Sequence, residues 1–135
     1  MKIIDTNALA VLVLGIMDPE IIDSQPRTSI YEKSDFQALL SIIGDLKTLI
    51  ILPNVWTELD NLLNNFQGQR KNIYVNYLIE LTKITTEQFL PTAKGVNSST
   101  FYDLGLTDSL ILQYAKKCKL LITSDSKLSN YAIMV

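Results

Sequence analysis

With 135 residues, 47% hydrophobic and 19% charged, the chain has the composition of one globular domain spanning 1–135, not of a disordered segment. A formal net charge of −2 gives no global basic field, which speaks mildly against a nucleic-acid partner. The absence of histidine excludes His-based triads, histidine-ligated zinc and the commonest general base. The single cysteine, Cys118, excludes an internal disulfide and suits a reducing, cytoplasmic setting.

Taken in chain order, Met1 to Ile4 is a short apolar strand. Ala8 to Met17 is a nearly unbroken apolar run that predicts a buried helix starting just after the polar triplet Asp5-Thr6-Asn7. That run is too short to span a bilayer, and an acid ahead of it argues against a signal peptide, so no membrane is expected. Asp18 to Lys33, with Pro19 and Pro26, reads as a loop or irregular excursion. Ser34 caps a helix on which Phe36, Leu39, Leu40, Ile43 and Leu46 follow helical spacing.

Leu49 to Leu52 is a second strand, ended by Pro53. Val55, Leu59, Leu62, Leu63 and Phe66 mark the helix after it. Gly68 to Asn72 reads as a polar break before a helix over Ile73 to Lys83. Gln88 to Thr92 is a weak third strand, and Val96 to Leu104 has no clear period. Thr107 opens a helix whose apolar side carries Leu110, Ile111, Tyr114, Ala115 and Cys118. Leu120 to Thr123 is the last strand, with Ser124 and Asp125 directly behind it. Short apolar strands alternating with helices predict an α/β fold, a parallel sheet with helices on both faces and a functional crevice at the carboxyl ends of the strands.

Acids stand at the points where strands hand over to helices. Asp5 follows the first strand and Asp125 the last, so both project toward one edge of a parallel sheet. Glu58 lies beside the stripe of Val55, Leu59 and Leu62, and Asp108 beside Ile111 and Ala115 in the first turn of its helix. Each has an ordinary structural role open to it. Asp5 and Asp125 can cap helices for about 1 kcal/mol, and Asp108 can complement a helix dipole for some tenths of that. Glu58 can be a rim residue reaching water. Jointly the acids ask for more. Four carboxylates at one crevice repel one another, and no basic residue adjoins any of them in sequence. A divalent cation is the natural compensation, and oxygen donors without nitrogen or sulfur favour Mg²⁺ or Mn²⁺. Such an ion lowers the pKa of a bound water and stabilises charge developing on a phosphate. Two basic clusters, Gln69-Arg70-Lys71 and Lys116-Lys117-Cys118-Lys119, read as solvated helix ends, the second suiting a C-terminal dipole.

The segments Ile3-Ile4-Asp5-Thr6-Asn7-Ala8-Leu9, "LPNVWTEL", "GLTDSLIL" and "LLITSD" together resemble the acidic motifs of PIN-domain ribonucleases, from Ile3 to about Leu128. The resemblance implies a PIN-like parallel α/β fold and Mg²⁺- or Mn²⁺-dependent cleavage of RNA. It gives Asp5, Glu58, Asp108 and Asp125 the metal-binding and catalytic roles, with Asn7 and Thr123 as polar supports of the acidic centre. It also implies partners, because many relatives are toxins restrained by a small antitoxin protein, often as homodimers. The Asp18–Lys33 excursion is longer than in compact relatives, a terminal strand common in the family is short or absent, and Asp103 reads as an exposed loop or helix-end acid more readily than as a fifth member of the pocket. A phosphatase of the haloacid-dehalogenase type would need an acid where Asn7 stands. A phospho-acceptor receiver would need an aspartate where Pro53-Asn54 follows the second strand. The alternative of weight is a catalytically silent PIN-like binding or scaffold module.

Overall fold

A computed structural model describes residues 1–22, 31–123, 125 and 128. Among the described residues, four strands form one parallel sheet: β1 (Lys2–Ile4), β2 (Leu49–Ile51), β3 (Thr86–Glu87) and β4 (Leu120–Ile122), in the spatial order β3-β2-β1-β4. Ile3 and Ile4 are both fully buried. Neighbouring residues on a strand face opposite sides, so both faces of the sheet are covered, as a parallel sheet requires. The fold is α/β, with helices flanking the sheet.

Two groups of helices do the covering. The first centres on α1 (Thr6–Met17), which packs against α2 (Lys33–Ile43), α3 (Pro53–Leu63) and α4 (Gly68–Ile84). Ala8 through Gly15 are all buried, so α1 is apolar on every side and sits inside the molecule. Gly15 is where α2 comes closest: a Cβ there would stand 2.1 Å from a ring carbon of buried Phe36. The second group centres on α7 (Leu106–Ala115), which packs on β1 and gathers the short helices α5 (Thr92–Val96) and α6 (Phe101–Leu104). A chain of hydroxyls fixes that group. Thr100 Oγ1 stands 2.9 Å from Ser109 Oγ and 2.8 Å from Ser98 Oγ.

Strand order sets the position of the functional edge. From β1 the chain moves to β2 and β3 on one side, then returns to place β4 on the other side. The direction of winding therefore reverses between β1 and β4, and the carboxyl ends at such a reversal flank an open crevice. Register brings the two strands level, with Ile4 opposite Ile122 and the Asp5 N–H bonded to the Ile122 carbonyl at 3.2 Å.

Several boundaries differ from the sequence expectation. Glu32, not Ser34, caps α2, through a reciprocal pairing in which the Asp35 carboxylate accepts from the Glu32 N–H at 2.8 Å. Leu46 lies outside that helix, because Gly44 adopts φ +66 and ends it. Gly68 to Asn72 is no break: it is the first turn of α4, and the pairing partner of β2 is Thr86–Glu87, not Gln88–Thr92. In β3 the Thr86 hydroxyl donates to the Lys47 carbonyl at 2.8 Å, a contact between distant residues that composition alone does not reveal. Helix α7 begins at Leu106 behind Gly105 and ends before Cys118. Within the Asp18–Lys33 excursion, Pro19–Ile21 form a 3₁₀ turn; residues 23–30, and residues 129–135 on which the expectation of a short or absent terminal strand bears, lie outside the described residues.

Candidate active site

The crevice at the β1/β4 switch point is a cleft of about 330 Å³, and Asp5, Glu58, Asp108 and Asp125 all line it. They arrive from four parts of the chain. Asp5 ends β1 and starts α1, Glu58 projects from the middle of α3, Asp108 from the first turn of α7, and Asp125 follows β4. Thr6, Asn7 and Asn61 add neutral oxygen and amide groups, and Leu62 supplies an apolar wall. None of the described residues lining the cleft is basic.

Asp5 is the anchor and is only 4% exposed. Its Oδ1 accepts from the Ala8 N–H at 2.9 Å, capping α1, and its Oδ2 accepts from the Thr123 hydroxyl. Capping and site formation are thus one arrangement: the bond that starts the helix fixes the carboxylate at the cleft. The Thr123 oxygen in turn accepts the Asp125 N–H at 2.9 Å, so one hydroxyl ties the ends of β1 and β4 together. Asp125 Oδ1 accepts the Leu128 N–H at 3.3 Å. Across the cleft, the Thr6 hydroxyl donates to Glu58 Oε1 at 2.9 Å and ties α1 to α3.

Electrostatics reflect this crowding. Burial pushes the Asp5 carboxyl above the usual range; the Thr123 and Ala8 hydrogen bonds pull it back, and the charges of Asp125 and Glu58 push it up again. Among the described residues, none donates such a hydrogen bond to Asp108. Burial first, then the charges of Asp125, Asp5 and Glu58, push its carboxyl from 3.8 up to about 6. Its value therefore registers the other three acids directly.

Comparison with protein-family models, curated proteins and solved structures finds no match for this chain. What the cleft can do rests on its own geometry.

The donors are hard oxygens, the kind that Mg²⁺ and Mn²⁺ take. Among the described residues no three carboxylates stand close enough together to hold one ion directly. The cleft nevertheless has room for an ion that keeps its water: an octahedral water shell at about 30 Å³ per molecule fills roughly 180 Å³. Asn7 lines the cleft, and Thr123 touches Asp5 as described. Asp103 is an exposed acid in the first turn of α6 and is absent from the described cleft lining. Sequence reasoning missed Thr6 and Asn61. Asn61 carried a signal, being one helical turn from Glu58 on α3. Thr6 carried none, since its partner is 52 residues away.

Proposed function

We propose that the chain is a Mg²⁺- or Mn²⁺-dependent endoribonuclease of the PIN-domain kind. The observation that carries the reading is the gathering of four carboxylates from four elements into one cleft, at a strand reversal, with no basic residue among the described lining. A folded protein holds such a concentration of like charge only at a cost; at Asp108 burial first, and then the charges of the other three acids, oppose ionisation. A function that uses a cation gives that cost a purpose.

Asp5, Glu58, Asp108 and Asp125 would hold the metal, directly or through its waters. Bound there, a divalent ion supplies a water of lowered pKa and stabilises the negative charge that builds on a phosphodiester. The chain's own groups set the stage. Ala8 and Thr123 fix both oxygens of Asp5, Thr6 fixes Glu58 Oε1, and the Asn7 and Asn61 amides face the space that a sugar–phosphate backbone would enter. No side chain is required as a covalent nucleophile.

The spacing of the carboxylates, too wide for direct ligation of one ion, favours a second reading: a silent PIN-like binding module. One experiment separates the two. Cleavage of a fluorophore–quencher RNA is followed with Mn²⁺, with EDTA, and with EDTA then excess Mn²⁺. The nuclease reading requires activity, its loss and its return. Cleavage indifferent to chelation, or no cleavage together with no saturable Mn²⁺ binding, refutes it. The antitoxin and homodimer carried by the resemblance belong to the same proposal.

A further inference from the structure

We infer that the sheet edge opposite the acidic cleft carries a second RNA site, in which Lys116, Lys117 and Lys119 hold phosphates and an adjoining pocket of mixed polar and apolar lining takes a nucleobase. The pocket, of about 380 Å³, lies between the C-terminal end of α7 and the start of β4. Leu112, Ala115, Leu120 and Leu121 supply the apolar part of its lining, and Lys116 and Lys119 supply much of the polar part. A recess that joins leucine side chains to ammonium groups suits a ligand with a flat ring and an attached anion, which is the chemistry of a nucleotide.

The ordinary account of these lysines is that they complement the α7 dipole, which stabilises by at most about 1 kcal/mol per charge within the last turn. Lys116 is the C-cap of α7, and Lys117 and Lys119 lie beyond the helix end. Lys116, Lys117 and Lys119 are exposed, and none forms an ion pair among the described residues. Like charges gathered without acidic partners are a footprint for a polyanion. Lys117 Nζ lies 5.7 Å from the centre of the Tyr114 ring, which adds an aromatic face to the basic cluster. Leu120 is 41% exposed on the same edge and adds an apolar side chain beside the lysines.

The two sites are joined by one helix. Asp108 stands in the first turn of α7 and Lys116 is its C-cap, a span of roughly 12 Å along the axis at about 1.5 Å per residue. A strand held at the lysines therefore needs only a short further stretch to bring a phosphate to the acids. Anchoring at the basic end also offsets the repulsion between RNA and the acidic cleft. The choice of RNA among polyanions rests on the proposed nuclease reading; the existence of the site does not.

Cys118 lines the same pocket and is the only cysteine, so its alkylation reports occupancy of this site alone. The full chain in EDTA is treated with a maleimide, with and without a single-stranded oligouridylate or a polyglutamate of equal length. We expect the oligonucleotide to slow labelling several-fold and polyglutamate to do so far less. The variant K116Q/K119Q should bind the oligonucleotide about tenfold more weakly, with a salt dependence shallower by about two ions. Unchanged labelling with the oligonucleotide present overturns the site, even if the protein cleaves RNA. Equal protection by polyglutamate overturns the nucleobase pocket. Protection in a protein that cleaves nothing upholds the site and rejects the nuclease reading instead.

Discussion

Replacing Asp108 with asparagine should stabilise the metal-free protein, and by an amount that depends on pH. In the fold this carboxyl titrates near 6 against an ordinary 3.8, because burial and the charges of Asp125, Asp5 and Glu58 oppose its ionisation. The folded state therefore holds the proton to higher pH than the unfolded state does. Stability falls as pH rises from about 4 to about 6, and the penalty is fully present above that window. About two units at about 1.4 kcal/mol each set a ceiling near 3 kcal/mol. Asp108 is only partly buried, so solvent screening brings the expectation to about 1–2 kcal/mol. Asparagine also loses a favourable charge at the start of α7, but that is worth only some tenths of a kcal/mol. The net result is a melting temperature higher by roughly 3–8 °C at about pH 8 in EDTA, with most of the gain gone near pH 4. Thermal melts of both proteins across this range provide the assay. A variant that is less stable at high pH, or whose gain is the same at both ends, would show that the four acids do not share one electrostatic environment.

Further expectations follow from the same contacts. Mn²⁺ affinity should weaken as pH falls through about 6, because protons then compete for Asp108; calorimetric titration that finds a flat profile contradicts this. Thr123→Val removes the donor to Asp5 and the acceptor of the Asp125 N–H, and should cost 10- to 100-fold in Mn²⁺ affinity. Gly15→Ala drives a methyl into the Phe36 ring and should destabilise by about 1–3 kcal/mol in urea unfolding, partly restored by Phe36→Leu. Tyr74→Phe strips the 2.9 Å bond to Asp60 that links α3 to α4, and should cost about 1 kcal/mol.

Much of this was legible in the chain because the signals are local. The strand at Lys2–Ile4, the helix behind Asp5, the strand at Leu49–Ile51 and the helix carrying Asp108 each announce themselves by a short apolar run and a polar handover. The α/β fold follows from their alternation, and a parallel sheet turns acids at strand ends into neighbours. What escaped depends on contacts between distant residues. Thr86–Glu87 pairs as a strand because β2 lies beside it, although its own residues are polar. Gly68 starts a helix with φ +61, where composition suggested a break. Thr6 joins the cleft only because α3 brings Glu58 to it. The lysines after α7 read in sequence as an ordinary helix end, because the pocket they line is formed by residues on both α7 and β4.

The central claim is that four separated acids make one cation site, and Mn²⁺ binding tests it most directly. Calorimetry or electron paramagnetic resonance on the wild type should show saturable binding, and Asp5→Asn should abolish it while the protein still folds, since asparagine caps a helix as well as aspartate does. No saturable binding to a folded wild type, or undiminished binding to Asp5→Asn, would contradict it.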